Sequence, residues 1–408
     1  MLFYKNKIIK LMLNKNNDVK IIDLGFHPYA DTFINKKQLN FSEPVFQLSC
    51  FLNKETGVIK NAITTDEASR YNLYDYSYTS SNSIYSKNYW KKYSQDIKNE
   101  LNVNSNFKIL EIGSNDGYLL NCFKKNTHKI WGVDASKLMC SIARKKKIKT
   151  FNLIFNLKNS KKIKEKIGKV DIIISNNVLN HSNDVIDFIL GAKNLLNKNG
   201  TFVFELPYWY NLVLNEQFDQ IYHEHVYYFT VKSSEFFLRK CGLQIVQIRE
   251  TEYHGGCIRV YAKIKSNIKR SFLVKKYINK ENKLGLFKEK TYKIIMKNLN
   301  KKKLSFLEKI IDFKKKNYKI VGIGAPAKGN TFLNFLKLDN NFIDFITDGS
   351  KFKINKYTPL SRILIVPDNY LKKIKEKICI IFLSWNLEKI LKPKILKYNK
   401  NIKFINFF

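Results

Sequence analysis

The fold is set by the stretch Lys108-Ile-Leu-Glu-Ile-Gly-Ser-Asn-Asp-Gly-Tyr-Leu-Leu120. An apolar strand that carries Glu111 runs into a turn bounded by Gly113 and Gly117, and the chain then begins a helix. Glycine has no Cβ, so the backbone of such a turn can approach a ligand closely, and helix-start N–H groups face it. This pattern predicts a nucleotide site at the first turn of a parallel α/β domain.

The next strand, Lys129-Ile-Trp-Gly-Val-Asp134, ends in an acid. A carboxylate there can accept hydrogen bonds from both hydroxyls of a ribose. Dehydrogenases share the glycine-rich turn, so the turn alone does not separate cofactors. The ExGxxxG spacing with an acid on the second strand favours S-adenosylmethionine (SAM) over NAD, the alternative being an ordinary βα turn. The residues predicted to bind SAM are Glu111, Gly113, Ser114, Asn115, Asp116, Gly117, Asp134 and Asn176.

Two amides, Asn176 and Asn177, follow the apolar strand at residues 170–175. A parallel sheet opens its ligand crevice at the carboxyl ends of its strands. We therefore expect Asn176 to contact the cofactor and Asn177 the substrate. A simple strand-end turn remains the alternative.

The length of 408 residues allows two or three domains. Short alternating segments predict a small N-terminal domain over residues 1–75. Alternating strands and helices predict a parallel doubly wound sheet over residues 76–270. A Lys-rich helical linker at about 271–317 precedes a second α/β unit, and together they form the region 271–408.

The formal charge of +39 invites a nucleic-acid interpretation, but only seven of the 73 basic residues are Arg. Arg is the residue that reads bases and forks onto phosphates. We therefore expect no nucleic-acid partner, although the lysines would help attract a small anionic substrate. The sequence shows no long apolar stretch that could span a membrane, and its six cysteines form no CxxC pairs. A cytoplasmic protein without a membrane partner is expected.

Ionisable side chains cluster in Tyr222-His-Glu-His225. The resting pKa of histidine suits proton transfer near neutrality. The HxH spacing could also indicate a metal, but HExxH spacing and companion cysteines are missing. A candidate proton-transfer site is the favoured interpretation, and a plain surface loop is the alternative.

Paired glycines stand in Tyr253-His-Gly-Gly-Cys-Ile-Arg259, just before a strand. Such glycines allow a close backbone approach to a ligand. His254, Gly255 and Gly256 are therefore predicted to contact the substrate, and a β-bulge or tight turn is the alternative.

A second glycine-rich turn, Gly322-Ile-Gly-Ala-Pro-Ala-Lys-Gly-Asn330, lies between a strand and a helix. It imitates a dinucleotide fingerprint, but its spacing is wrong for GxGxxG and Pro326 stiffens the turn. NAD is therefore not expected. Lys328 at a helix N-terminus suits a phosphate, and Asn330 is placed to help bind the substrate.

In this order the motifs resemble the SAM-dependent C-methyltransferases that act on nucleotide-linked 4-keto-deoxysugars. The resemblance covers essentially the whole chain. The matching segments are Glu111–Gly117, Asn176–His181, Phe218–His225, His254–Arg259, Gly322–Thr331, Leu383–Asn386 and a tyrosine-serine segment, Tyr74–Ser81.

The resemblance implies a Rossmann-like class I SAM methyltransferase core with a small N-terminal domain and a second Rossmann-like C-terminal domain. It implies methylation of a sugar carbon, by family default C3, through a base-generated enolate. His225 would be the base, and Tyr222 and Glu224 would orient it or share a proton relay. Tyr76 would donate a hydrogen bond to the keto oxygen. The partner would be a nucleotide-diphosphate sugar, held by the C-terminal unit, and the protein a monomer or weak homo-oligomer.

One departure from the family concerns its N-terminal zinc domain, which normally carries two cysteine pairs. Here Asn53 and Thr56 stand about where the second pair would be, and Cys50 lacks a partner cysteine. Structural zinc needs four ligands. The domain is therefore expected to persist without zinc or another metal, and to be stabilised by packing against its neighbours.

Two other classes stay open. An RNA methyltransferase would use the same SAM turn, but it predicts clustered Arg and strongly salt-dependent binding. A catalytically inactive binding protein predicts damage in the segment Tyr222–His225, and that segment is intact.

Overall fold

The structure is a computed structural model that describes residues 9–10, 17–67, 79–81, 83–265, 271–399 and 401–408. Strands and helices alternate through most of this part of the chain. The strands are β1 Ile9–Lys10, β2 Asp18–His27, β3 Phe46–Asn53, β4 Ile59–Asn61, β5 Ile63–Thr64, β6 Ile109–Ile112, β7 Ile130–Asp134, β8 Lys149–Asn152, β9 Val170–Asn176, β10 Leu196–Pro207, β11 Tyr227–Tyr228, β12 Leu243–Thr251, β13 Cys257–Ile264, β14 Lys319–Ile323, β15 Phe345–Thr347, β16 Ile365–Val366, β17 Ile378–Phe382 and β18 Ile402–Ile405.

The helices lie mainly between successive strands of the two larger sheets. The α-helices are α1 Ile84–Leu101, α2 Tyr118–Phe123, α3 Lys137–Lys145, α4 Leu157–Ile167, α5 Val185–Leu195, α6 Trp209–Leu214, α7 Val231–Lys240, α8 Phe272–Lys283, α9 Glu289–Lys315, α10 Ala327–Leu336 and α11 Glu388–Leu396. Short 3-10 helices span Lys36–Asn40, Leu179–His181, Tyr253–Gly255, Asp368–Lys373 and Trp385–Leu387. Among the helices in the described ranges, none is long and apolar enough to cross a bilayer.

The central sheet has seven strands in the order β12-β13-β10-β9-β6-β7-β8. Five of them are parallel, and β13 pairs antiparallel with both β10 and β12. Apolar residues on both faces of the sheet are buried: Ile109 packs in one cluster, with α1 and α2, and Leu110 in another, with α5. A sheet covered on both faces explains the continuous apolar runs of its strands. The predicted Rossmann-like α/β core is confirmed.

A four-stranded N-terminal sheet has the order β11-β4-β3-β2. Its edge strand β11 begins two residues after His225, so this sheet is joined to the segment that carries the candidate base. Its apolar residues, among them Ile22 and Leu48, share one core with Leu299 of α9 and Leu333 of α10. The sheet therefore packs against the C-terminal half of the chain.

A small network of side-chain hydrogen bonds holds the turn at the end of β3. The Asn53 amide donates to Asp18 Oδ1 (2.8 Å), and Asn53 Oδ1 accepts from the backbone N–H and the hydroxyl of Thr56 (3.0 and 2.9 Å). Asp18 also pairs with Lys60 at 3.2 Å. Throughout the part of the chain that the structure describes, no group of three or more His, Cys, Asp or Glu could hold a metal ion. The turn is thus held by direct polar contacts.

Replacing Asn53 with alanine is expected to lower the free energy of unfolding by about 1–3 kcal/mol, because Asp18 and Thr56 lose a partly buried partner. A chelator is expected to leave the melting temperature unchanged. Thermal and urea unfolding measure both effects, with the exposed Asn40→Ala as a control in the same unit. A melting temperature that falls with chelator would contradict this prediction.

The C-terminal sheet is five-stranded and parallel, in the order β16-β15-β14-β17-β18. The helical stretch at 271–317 is not continuous: it consists of α8 and α9, separated at residues 284–288. Gly285 in this break has φ +78°, a left-handed conformation that glycine adopts without steric cost. Helical spacing in the sequence does not reveal such a break.

Candidate active site

The first turn of the central sheet is held against the next strand. The N–H groups of Gly113 and Ser114 both donate to the carbonyl of Val133, at 2.7 and 3.0 Å. Gly113 has φ +74°, and a Cβ there would overlap Cγ2 of Val178. Gly117 has φ +73° and begins α2. Glycine is therefore required by backbone shape and by close packing at this turn.

Asp134 anchors the turn from the end of β7. Its Oδ2 accepts from the N–H of Asn115 and its Oδ1 from the N–H of Ser136, both at 2.8 Å. Burial, with a smaller contribution from nearby Asp116, raises the pKa of Asp134 to about 6 although these two hydrogen bonds oppose the rise. Each carboxylate oxygen can accept more than one hydrogen bond, so these contacts leave capacity for a ribose.

The turn carries an excess of negative groups. Burial, followed by repulsion from Asp116 and Asp134, raises the pKa of the Glu111 carboxyl well above its usual range. Among the described residues, Glu111 Oε2, Ser114 Oγ and the Asn177 side-chain oxygen have no hydrogen-bond partner. Acids and unused polar atoms in one crevice fit SAM, which carries cationic sulfonium and ammonium groups and polar hydroxyls.

The other predicted cofactor residues also lie around this crevice. Asn115 has φ +48°, and its side-chain oxygen accepts from the N–H of Ser80 at 2.8 Å. Asp116 accepts from Ser81 and pairs with Lys146 at 3.0 Å. Asn176 is the last residue of β9, opposite Glu205 of β10.

SAM affinity is expected to weaken as the pH falls through about 6, by up to about tenfold per pH unit. Above its pKa the ionised Asp134 carboxylate would accept hydrogen bonds from the ribose of SAM, whereas protonation below that pKa removes acceptor capacity. Titration calorimetry between about pH 5 and 8 measures this profile. Asp134→Asn should flatten it, so a profile equally steep in that variant would assign the titration to another group.

A second cluster surrounds His225. Its ring centroid lies 3.9 Å from that of Tyr222 and 5.1 Å from that of His181. Its Nδ1 is 2.8 Å from the carbonyl oxygen of Gln220. Because a carbonyl can only accept, Nδ1 carries the hydrogen and the lone pair of the neutral ring is on Nε2. Burial lowers the pKa of His225 to about 3, so the ring is neutral at physiological pH.

Glu224 faces the N-terminal unit. Its carboxylate accepts from the backbone N–H groups of Asp31 at 3.1 Å and Ala30 at 3.5 Å. Burial raises the pKa of Glu224 to about 7, and the Asp31 carboxylate contributes to the rise. These bonds tie the segment around His225 to the N-terminal unit. Tyr76, the fourth predicted catalytic residue, lies outside the described residues.

The paired glycines lie against other elements. A Cβ on Gly255 would overlap the Trp385 ring, and one on Gly256 would overlap the Asn211 amide. His254 has φ +53°, and its ring contacts that of Tyr253 at a tilt of 52°, with ring centroids 4.0 Å apart. Burial, then the nearby Lys328 and His225, lowers the pKa of His254 to about 3. This loop therefore adjoins both the His225 cluster and the C-terminal unit.

Lys328 is almost fully buried at the start of α10. Its Nζ donates to the Asn386 side chain at 2.6 Å, lies 3.8 Å from Asp219 Oδ2 and stands 4.1 Å from the Trp385 ring centroid. Burial lowers its pKa to about 8. Asn330 donates to the carbonyl of Ala30 at 2.6 Å. Both side chains thus make contacts between units of the chain.

Three features of the site were not predicted from the sequence. They are the His181 ring beside His225, the Asp219 carboxylate beside Lys328, and the buried pair of Glu205 and Arg259. His181, Asp219 and Arg259 stand within the matching motifs, and this was the available signal. Their partners are distant along the chain, so only the fold reveals what they contact.

The Rossmann-like sheet, its glycine turn and the acid that ends the second strand define a class I SAM-dependent methyltransferase. A family model described as a methyltransferase domain matches residues 86–248, and one described as a C-methyltransferase C-terminal domain matches residues 252–407. Together the two models assign the chain to the SAM-dependent C-methyltransferases. SAM is therefore the cofactor.

Individual proteins show the same likeness. The chain is 27% identical over 288 residues to C-methyltransferase NovU of Streptomyces niveus, an alignment that covers 68% of this chain and 66% of NovU. The matched part thus spans just under two thirds of that relative's length.

Solved structures similar to part of the chain include two methyltransferases. Magnesium protoporphyrin IX methyltransferase (ChlM) from Synechocystis PCC 6803, solved with SAH, is 14% identical and covers 44% of this chain and 83% of its own, with a TM-score of 0.34. A SAM-dependent methyltransferase from Clostridium acetobutylicum is 17% identical and covers 45% of this chain and 93% of its own, with a TM-score of 0.35.

Proposed function

We propose that the protein transfers a methyl group from SAM to a carbon, by preference C3, of a nucleotide-linked 4-keto-deoxysugar, with His225 as the base. The observation that carries the proposal is the hydrogen bond from His225 Nδ1 to the Gln220 carbonyl, which leaves the lone pair on Nε2. A neutral imidazole in this tautomer presents on Nε2 the lone pair that proton abstraction requires.

The two candidate sites share one loop, which supports a single reaction centre. Asn176 ends β9, Asn177 follows it, and His181 ends the short helix after them. The N–H of Val226, next to His225, donates to the carbonyl of Asn180 at 2.8 Å. The segment that carries His225 is thus hydrogen-bonded to the loop that follows β9 at the SAM crevice.

The proposed reaction begins with a proton on the sugar carbon next to the ketone. His225 Nε2 takes this proton, and the electron pair of the broken C–H bond forms an enolate. Tyr222 and Glu224 would orient the His225 ring or relay its proton. Tyr76 would donate a hydrogen bond to the keto oxygen as that oxygen gains negative charge. SAM would supply the electrophilic methyl group: the enolate carbon would form the new carbon–carbon bond to it, and the electron pair of the broken sulfur–methyl bond would stay on sulfur. Alignment of the two ligands can contribute about 7–11 kcal/mol.

The geometry of the C-terminal unit supports the proposal that the substrate is a nucleotide-diphosphate sugar. Asp348 Oδ2 accepts from the N–H of Ala325 and Oδ1 from that of Ser350, both at 2.7 Å. This arrangement repeats that of Asp134 in the first unit. The nucleotide would lie along this turn, with Lys328 and Asn330 toward its phosphates and His254 to Gly256 toward the sugar.

The proposed setting is deoxysugar biosynthesis in the cytoplasm, for a surface glycan or a natural product. The six cysteines are free in the structure, which agrees with a reducing compartment.

The test is incubation of the purified protein in D₂O with SAM and a panel of TDP-, GDP- and CDP-linked 4-keto-deoxysugars, followed by mass spectrometry. The expected result is a gain of one methyl group on one sugar nucleotide. Without SAM, solvent deuterium should enter a carbon next to the ketone, which isolates the base step. If neither signal appears although SAM binding is intact, the proposal is overturned. That result would favour an RNA methyltransferase or an inactive binding protein.

A further inference from the structure

The C-terminal unit grips the segment Phe218–Ile221, which precedes His225. Phe218 is fully buried, and its ring centroid lies 4.4 Å from that of Phe335. The Ile221 carbonyl accepts from the hydroxyl of Thr331 at 3.0 Å. Contacts at both ends of this segment therefore come from α10.

Asp219, inside this segment, has a specific partner. Its Oδ2 accepts from the indole N–H of Trp385 at 2.6 Å, and the Lys328 ammonium is 3.8 Å away. Asp219 is only 1% exposed. A carboxylate buried to this extent is costly unless it is paired and hydrogen-bonded, so the bond to Trp385 fixes its position.

Gln220 connects this grip to His225. Its backbone carbonyl accepts from His225 Nδ1 at 2.8 Å, and its side-chain amide donates to the carbonyl of His254 at 3.0 Å. Gln220 stands between the two anchored neighbours Asp219 and Ile221. The place of its carbonyl therefore depends on the contacts that those neighbours make with the C-terminal unit.

We propose that Trp385 is a positioning residue: through Asp219 it holds the Gln220 carbonyl where that oxygen keeps the hydrogen of His225 on Nδ1 and the lone pair on Nε2. The inference rests on the proposed role of His225 as base. It makes the tautomer of the base depend on docking of the C-terminal unit, so the unit proposed to bind the sugar nucleotide also prepares the base.

The tautomer matters because the other one presents an N–H where a base needs a lone pair. In serine proteases, loss of the correct histidine tautomer costs about 10⁴-fold in kcat. A shift of the Gln220 carbonyl would leave the His225 ring in the site. It would remove the only acceptor that the described residues offer to Nδ1 of His225.

The experiment compares Trp385→Phe with the matched control Trp209→Phe. Both tryptophans donate an indole N–H, but Trp209 is 1% exposed and donates to the Tyr292 hydroxyl at 2.9 Å, away from Asp219. In protein labelled with ¹⁵N-histidine, the His225 signals are assigned with His225→Asn. We expect the Nδ1–H tautomer in wild type and Trp209→Phe, and Nε2–H or a mixture in Trp385→Phe.

Kinetics gives the second readout. Trp385→Phe should lower kcat about tenfold or more, while KM for SAM changes by less than about threefold. Trp385→His, which restores a ring N–H for Asp219, should recover the Nδ1–H signal and part of kcat. It also serves as the second variant if Trp385→Phe does not fold.

An unchanged Nδ1–H signal in Trp385→Phe would overturn the inference. The tautomer measurement needs no substrate, so it separates this inference from the proposed function. If no sugar nucleotide is methylated but the tautomer shifts, the proposed function fails and the positioning role of Trp385 stands. If methylation occurs but the tautomer does not respond, only the inference fails.

Discussion

Replacing His225 with alanine is expected to lower the rate of methyl transfer by about 10²–10⁴-fold, the usual contribution of a positioned general base. SAM affinity should stay within about twofold, because the described contacts of the SAM turn do not include His225. Single-turnover rates and titration calorimetry measure the two quantities. Solvent-deuterium entry into the sugar nucleotide without SAM should fall in parallel.

The matched control is His128→Ala, which removes the same ring from an exposed position beside the central sheet. Its rate should equal that of wild type. Turnover in His225→Ala equal to wild type would exclude His225 as the base. If His225→Ala loses both SAM binding and turnover, the ring supports the structure of the whole SAM crevice instead.

Replacing Arg259 with methionine is expected to lower the free energy of unfolding by about 3–5 kcal/mol. The Arg259 guanidinium donates to Glu205 Oε2 at 2.8 Å and lies 3.9 Å from the Tyr93 ring centroid. Glu205 is fully buried and Arg259 is 1% exposed. The variant leaves the Glu205 carboxylate buried without its counter-ion, and this uncompensated charge is the cause of the loss. Urea unfolding measures it.

Two comparisons sharpen this prediction. The double variant Glu205→Leu, Arg259→Met removes both charges and should recover at least about half of the lost free energy, because no fully buried unpaired charge remains; Asp96, which also loses Arg259, is partly exposed. Arg249→Met is the control on the neighbouring strand: Arg249 is paired in the sheet with Arg259, but its side chain is 45% exposed. It should cost less than about 1 kcal/mol. A loss in the control as large as that in Arg259→Met would contradict the explanation.

Strands buried on both faces were the easiest elements to predict. Residues 109–112 and 170–175 are mostly apolar, with Glu111 and Asp171 as their charged residues, and both lie in strands of the central sheet. The strand Lys149–Asn152 was not predicted. It lies at the sheet edge, where only one of its residues, Thr150, is buried, so its sequence lacks an apolar run.

The break between α8 and α9 was also not predicted. The apolar spacing on either side of Gly285 is helical, and a single glycine is tolerated within many helices. The break follows from packing instead. Leu286, inside it, is fully buried in the core shared by the N-terminal and C-terminal units.

By itself the sequence determined the first turn of the SAM crevice, the acid after the second strand and the order of the motifs. These features are local, because backbone conformation and strand burial are encoded over a few neighbouring residues. Only the tertiary structure decided that Asp219 meets Trp385, 166 positions away, and that Glu205 pairs with Arg259, 54 positions away. Such contacts depend on how elements that are distant along the chain pack together, and neither partner carries that information in its own neighbourhood.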